Sequence, residues 1–487
     1  MTKNITQNIL PLDAPLRDVL ITLNKGVFGV VFITDKQECI QGLFTDGDIR
    51  RAIINGAQLE EPVLDYMKKD FLYGSAEKSH DENIKLLSEK VRHLPILDEK
   101  GRLVDFLSWA EMWRLPVMEP MLGGNELKYV SDCITSNWIS SQGSYVRSFE
   151  KHFADFLAID HALTTTSCTT ALHLALIALG IGPGDEVIVP DLTFAASANV
   201  VLHAGATPVF VDVSLEHWTI DPDLIENAIT DKTRAIMPVH LYGHPCDMDP
   251  IMEIARRHKL YIVEDCAEAL GAQYKGRQVG TLGDAGCFSF FSNKVITTGE
   301  GGMIVTSNPE LHQKMTILRD HGMSKTKRYW HEMAGFNYRM TNLQAAVGLA
   351  QIEQIDSFLY KRREMAKQYE SNLKGIAGIT LPPEMKWAKN IYWLYSILID
   401  ENLTGISRDE LMKGLECEGI ETRPFFCPLH NQPPYPQTLN TLSNTEKLAV
   451  EGISLPSSNS LTSEGIDKVC ANIKKLIKHH NIINKTA

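Results

Sequence analysis

The chain has 487 residues, more than one hydrophobic core usually fills, so two or three domains are expected. Its 44% hydrophobic and 22% charged content is ordinary for a globular protein, and no apolar run is long enough to span a bilayer. A net charge of −12 argues against a general nucleic-acid binder. The nine cysteines are scattered with no C-x-x-C pair, which suggests neither a disulfide framework nor a zinc knuckle, and no metal is expected. The polar N-terminus lacks a basic-then-apolar signal pattern, so a cytoplasmic protein is expected.

The first region runs from about Asn8 to Trp113 and contains an internal repeat. Val30-Val31-Phe32-Ile33-Thr34-Asp35 precedes Gly42-Leu43-Phe44-Thr45-Asp46-Gly47-Asp48, and Leu94-Pro95-Ile96-Leu97-Asp98 precedes Leu103-Val104-Asp105-Phe106-Leu107-Ser108. Each copy reads as strand, turn, strand and helix start, with Thr45 to Asp48 as a helix N-terminus. The stretch Gly42 to Arg51 resembles a CBS pair, a regulatory module that often binds adenine nucleotides. That resemblance implies a ribose contact at Thr45 and Asp48. The second copy departs from it, with Ser108 and Glu111 at those positions. A purely structural role in packing or assembly stands beside the nucleotide-binding one.

The junction Arg114-Leu115-Pro116-Val117-Met118-Glu119-Pro120 carries two prolines and no periodic pattern, and reads as a linker. Beyond it, apolar strands at Glu186–Pro190, Thr207–Val213, Arg234–Val239 and Leu260–Asp265 alternate with helical segments such as Asp249–His258. Such alternation predicts an α/β fold, a mainly parallel sheet with helices on both faces. After about Phe358 the pattern loosens, which predicts a smaller C-terminal α+β domain. The expected boundaries are residues 1–115, 117–358 and 359–487.

Ligands of such sheets gather at the carboxyl ends of strands, and three segments there carry chemistry. Ser167-Cys168-Thr169-Thr170 opens an apolar helix, a ready phosphate site that also reads as an ordinary N-cap. The strand ending Val263-Glu264-Asp265 places a carboxylate at its edge, with Glu268 three residues on. Cys287-Phe288-Ser289-Phe290-Phe291-Ser292-Asn293-Lys294 puts a lysine behind a buried aromatic strand, followed by the glycines of Thr297-Thr298-Gly299-Glu300-Gly301-Gly302. Desolvation lowers a lysine pKa, and a neutral amine is what forms a Schiff base. Each segment alone also has a bland reading: a cap, a strand-end turn, a surface lysine.

Together, with Pro190-Asp191-Leu192-Thr193-Phe194-Ala195-Ala196, they resemble the DegT/DnrJ/EryC1/StrS sugar aminotransferases, within the fold-type I pyridoxal-phosphate (PLP) enzymes. The resemblance implies that Lys294 carries PLP, that Asp265 pairs with the pyridine nitrogen and that Phe194 stacks on the ring. It places Cys168, Thr169 and Ser289 at the phosphate and Glu268 near the ring hydroxyl. Family members usually carry Gly where Cys168 stands, a change that a backbone contact tolerates. Asn337 would reach the phosphate of a neighbouring subunit, making a homodimer with shared sites. Arg339 would meet the amino donor's carboxylate, and Lys325, Lys327, Arg328 and Arg423 a nucleotide diphosphate; solvated surface charge is the alternative for each. The implied reaction passes an amino group, from glutamate, to the 4-keto group of a 6-deoxy sugar nucleotide for surface-polysaccharide (O-antigen) synthesis. One rival is a PLP-dependent dehydratase of the same fold, whose members replace the lysine with His. Another is a nucleotide sensor that has lost catalysis. Lys294 argues against both, and Asp265 also against the sensor.

Overall fold

The computed structural model describes residues 5–25, 29–88, 91–108, 115–435 and 442–486; Glu111 lies outside them. The chain separates into a unit of Met1–Arg114 with Glu416–Ile420 and a unit of Leu115–Leu415 with Glu421–Ala487.

In the first unit, β1 (Ile9–Pro11) leads through α1 (Leu16–Lys25) to β2 (Val30–Thr34), β3 (Ile40–Thr45) and α2 (Asp46–Ile54). β1 pairs parallel with β2, and β2 antiparallel with β3. The second copy repeats this order: β4 (Gly74–Ser75) is parallel to β5 (His93–Leu97), which is antiparallel to β6 (Leu103–Ser108). The register slips at matching places, between Ile33 and Thr34 in one copy and between Ile96 and Leu97 in the other. The sequence repeat is therefore a structural repeat. Its first strands, of three and two residues, are too short to leave a periodic signal. Every residue of β2 is buried, with Val31, Ile33 and Phe44 packing on α1 and Phe32 lying 5.2 Å from Phe106.

In the second unit the strands are β7 (His161–Thr165), β8 (Glu186–Pro190), β9 (Thr207–Val211), β10 (Thr233–Ile236), β11 (Tyr261–Asp265), β12 (Ala285–Ser289) and β13 (Gly302–Thr306). They form one sheet in the order β7-β13-β12-β11-β10-β8-β9. The run from β12 to β9 is parallel, and only β13 runs against both of its neighbours. Helices α3 (Cys168–Leu179), α4 (Ala196–His203) and α5 (Met248–His258) supply the crossovers. β10 stops short of the expected Val239 because Pro238 has no N–H to give a neighbouring strand. Past residue 358 the structure turns to a four-stranded antiparallel sheet, including Tyr395–Ile399 and Gly452–Leu455, with helices Ile355–Leu373 and Ser463–Thr486 packed together. No helix among the described residues is long and apolar enough to cross a membrane.

Candidate active site

β11 delivers Asp265 to the carboxyl edge of the sheet, where it is almost wholly buried. The Ser197 hydroxyl, from the first turn of α4, donates to Asp265 Oδ2 at 2.7 Å, and Ala267 N–H donates to Oδ1 at 3.1 Å. Burial pushes this carboxyl above its usual range; the two hydrogen bonds oppose that. Behind it, Glu264 accepts from the N–H groups of Gly280, Leu282 and Gly283, each at 2.7 Å. His240 Nε2 completes the set at 3.1 Å, while its Nδ1 accepts from Cys246 N–H at 3.0 Å. His240, Glu264 and Cys266 cluster closely enough to suggest a metal site. The imidazole nitrogens and the carboxylate are already engaged, so the group works as scaffold for the strand that carries Asp265.

Lys294 sits in the turn after β12, a strand whose Phe288 is buried. Its Nζ lies 3.8 Å from Glu268 Oε1 and 3.6 Å from the centre of the Trp393 indole. Glu268 Oε2 accepts from Tyr242 N–H at 2.9 Å. Burial lowers the lysine's proton affinity and raises Glu268 to about 7.

Ser167 caps α3, accepting from Thr170 N–H at 3.2 Å. Cys168 and Thr169 occupy the first turn, where backbone amides have no partner within the helix. Gly302 passes against this turn: a Cβ there would stand 2.4 Å from the Ser167 carbonyl carbon, so only glycine fits. Burial keeps the Cys168 thiol neutral by pushing its pKa well up.

These side chains share one cavity of about 420 Å³, lined by Cys168, Thr169, Phe194, Asp265, Glu268, Ser289, Lys294 and Arg423, with Asn293, Trp393 and Phe426. Phe194 is 61% exposed at its mouth, with Phe426 at 5.9 Å. Arg423 also lies 3.6 Å from Glu421. The structure does not bring the remaining expected residues into this cavity. Lys325 and Arg339 both pair with Asp320 at 2.9 Å. Lys327 covers Trp330 at 4.1 Å and Arg328 covers Tyr329 at 4.9 Å. Asn337 is exposed and bridges through its backbone to Asp320. Ser197 and Trp393 were missed from sequence. Ser197 directly follows the Pro190-to-Ala196 run already singled out, and only that proximity could have flagged it.

In the first unit, Thr45 and Asp48 line a separate cavity of about 650 Å³ with Arg51, Lys68, Phe71 and Arg92. Asp48 Oδ2 accepts from Thr45 N–H and Oγ1 at 2.9 and 2.6 Å, and Oδ1 accepts from Arg51 at 2.5 Å.

The donor set of the larger unit fits PLP: an amine for the aldehyde, a buried carboxylate for a protonated ring nitrogen, and a helix N-terminus for the phosphate. A lysine and an aspartate on neighbouring strand ends of a mainly parallel sheet, with such a helix beside them, define a PLP-dependent aminotransferase. The chain belongs to the DegT/DnrJ/EryC1/StrS aminotransferase family, whose model matches residues 120–474; a CBS domain model matches residues 1–55. It is similar to the GDP-perosamine synthase of Caulobacter vibrioides, 48% identical over 370 residues, covering 76% of this chain and all of that protein. The GDP-perosamine synthase of Escherichia coli O157:H7 is 47% identical, over 74% of this chain and 98% of that protein. Among solved structures, Streptomyces venezuelae DesV in complex with a ketimine intermediate superposes with a TM-score of 0.69 at 38% identity, covering 72% of this chain and 94% of DesV.

Proposed function

We propose that this enzyme transfers an amino group from glutamate to the 4-keto group of a 4-keto-6-deoxy sugar nucleotide, as a cytoplasmic step toward a surface polysaccharide. The observation that carries this reading is the cavity shared by Lys294 and Asp265, in a chain that matches GDP-perosamine synthases over nearly their whole length. PLP supplies the electron sink. Lys294 carries it and moves the proton at Nζ. Asp265, aimed by Ser197, would hold the proton on the ring nitrogen, and Phe194 would cover the ring face. Cys168, Thr169 and Ser289 would bind the phosphate, and Glu268 would sit by the ring hydroxyl.

Arg423 lines the cavity and serves the substrate's negative charge. Lys325, Arg328, Arg339 and Asn337 lie off this chain's own cavity. They suit a homodimer in which that segment completes the partner's site. The first unit binds an adenine nucleotide at Thr45 and Asp48 and regulates the enzyme. The deciding experiment incubates the protein with glutamate and a panel of 4-keto-sugar nucleotides, and reads ketone-to-amine conversion by mass. Conversion of a 6-deoxy member is expected; no conversion of any member by PLP-loaded protein would overturn the reading.

A further inference from the structure

Lys294 Nζ lies between two groups that the phosphate cradle and the Asp265 carboxylate do not need. Glu268 Oε1 is 3.8 Å away, and the Trp393 ring centre is 3.6 Å away. Trp393 arrives from far along the chain, yet three contacts fix it. Its Nε1 donates to the Asn293 carbonyl at 2.8 Å, on the residue just before Lys294. Its carbonyl accepts from Arg362 at 2.9 Å. Tyr242 lies nearly parallel to the indole, 6.4 Å off at 13°. Arg362 is wholly buried and also donates to the carbonyls of Tyr392 and Ser457. A buried guanidinium is costly, and here it pins the backbone that presents the indole. Glu268 is held in turn by Tyr242 N–H, whose residue sits at φ +51.

An aminotransferase lysine alternates between a cofactor-joined and a free state. When free, its amine needs somewhere to stay within reach. An indole face and a carboxylate both favour an ammonium. At 3.8 Å the carboxylate stands beyond hydrogen-bond distance, so it favours the charge without locking the donor in place. We propose that Glu268 and Trp393 form a socket that holds the Lys294 amine whenever it is not joined to the cofactor. Both are thus positioning residues for that lysine. The inference rests on Lys294 being the cofactor-bearing lysine, which borohydride labelling of the loaded protein decides separately. The other ionisable groups acting on Lys294 are Cys168, Asp265 and Arg423.

The test uses the full chain freed of cofactor. Trace acetic anhydride labels neutral amines, and the Lys294 peptide is quantified by mass spectrometry across a pH series. Each socket group favours the charged amine, so its loss should move the labelling midpoint to lower pH. Glu268→Gln and Trp393→Leu should each lower it by about 0.5–1.5 pH units, and Trp393→Phe by less because a ring face remains. A merely structural role would leave the midpoint where it was. If Trp393→Leu does not fold, Glu268→Gln and Trp393→Phe decide. Midpoints unchanged in both of those, or a shift to higher pH in either, would overturn the socket.

Discussion

The Ser197 hydroxyl donates to Asp265 Oδ2 across 2.7 Å, and this bond, with the Ala267 N–H on Oδ1, fixes how the buried carboxylate is turned. Each oxygen accepts one hydrogen bond, so the carboxylate keeps lone pairs with which it would hold a ring proton. Asp265→Asn should lose at least about a hundredfold in turnover, since an amide cannot retain that proton. Ser197→Ala should keep the charge but free its orientation, at a cost of about tenfold, the scale of one hydrogen bond to a charged group. Steady-state kinetics on PLP-saturated variants measure both. Near-normal turnover in Asp265→Asn would show that another group serves the ring.

Much of this site was legible because its residues stand at the ends of strands that the sequence marks clearly. Asp265 closes an apolar run, Lys294 follows a Phe-rich one, and Ser167 to Thr170 open an apolar helix. What escaped has no local signature. Trp393 reads as one more aromatic in a core-forming stretch, and only the tertiary path that brings it back over Lys294 gives it a role. The fate of Lys325 and Arg339 was equally hidden. In sequence both read as substrate contacts or as solvated surface charge, yet both close on one buried carboxylate, Asp320. The two shortest strands of the first unit were illegible because two or three residues carry no period.

Lys294→Ala should abolish turnover and leave the fold intact, because the amine contributes chemistry rather than core packing. Borohydride treatment of the PLP-loaded wild type, followed by peptide mapping, should place the reduced adduct on Lys294. Adduct on another lysine, or none in saturated protein, would reject the assignment.

Glu268 gives the cofactor-free protein a pH-dependent liability. Its carboxyl titrates near 4.5 when unfolded and is raised by burial to about 7 in the fold. Below the lower value it is protonated in both states and costs nothing. Between the two the folded state binds the extra proton, so stability falls as pH rises, and the loss is complete above about 7. Glu268→Gln should remove that slope, an effect of up to about 3 kcal/mol. The melting temperature of the Gln variant should therefore gain on wild type between pH 5 and pH 8. A gap of equal size at both pH values would show that the carboxyl is not raised.

Asn337 and Lys294 should complement each other between subunits. Asn337 is exposed and lies off its own chain's cavity, as expected of a residue that serves a neighbour. Mixed dimers of Lys294→Ala and Asn337→Ala chains should include some with one intact site, and the mixture should regain activity that neither parent has. No recovery after proven subunit exchange, with Asn337→Ala itself impaired, would count against sharing.

The nucleotide site proposed for the first unit should open by exchange of Arg51 for the ligand. Both oxygens of Asp48 are engaged in the structure, one by Thr45 and the other by Arg51. Arg51 is 69% exposed and therefore the weakly held partner, since an exposed ion pair contributes little. Ribose hydroxyls would take Asp48 Oδ1 by displacing Arg51, whose released guanidinium would remain in the cavity with Lys68 and Arg92 to meet phosphate. Calorimetry on the full chain with AMP, ATP and S-adenosylmethionine should find a ligand, and the phosphate-bearing ones should bind more tightly. Asp48→Ala should weaken binding about tenfold or more, the scale of losing charge-assisted hydrogen bonds. It should also lower stability by about 1 kcal/mol, because the capping box of α2 goes with it. Arg51→Ala leaves that box in place, so it should lower nucleotide affinity without the stability cost. The ligand can change turnover only if it prefers one arrangement of the protein over another. Silence from all three compounds would leave the first unit a structural module.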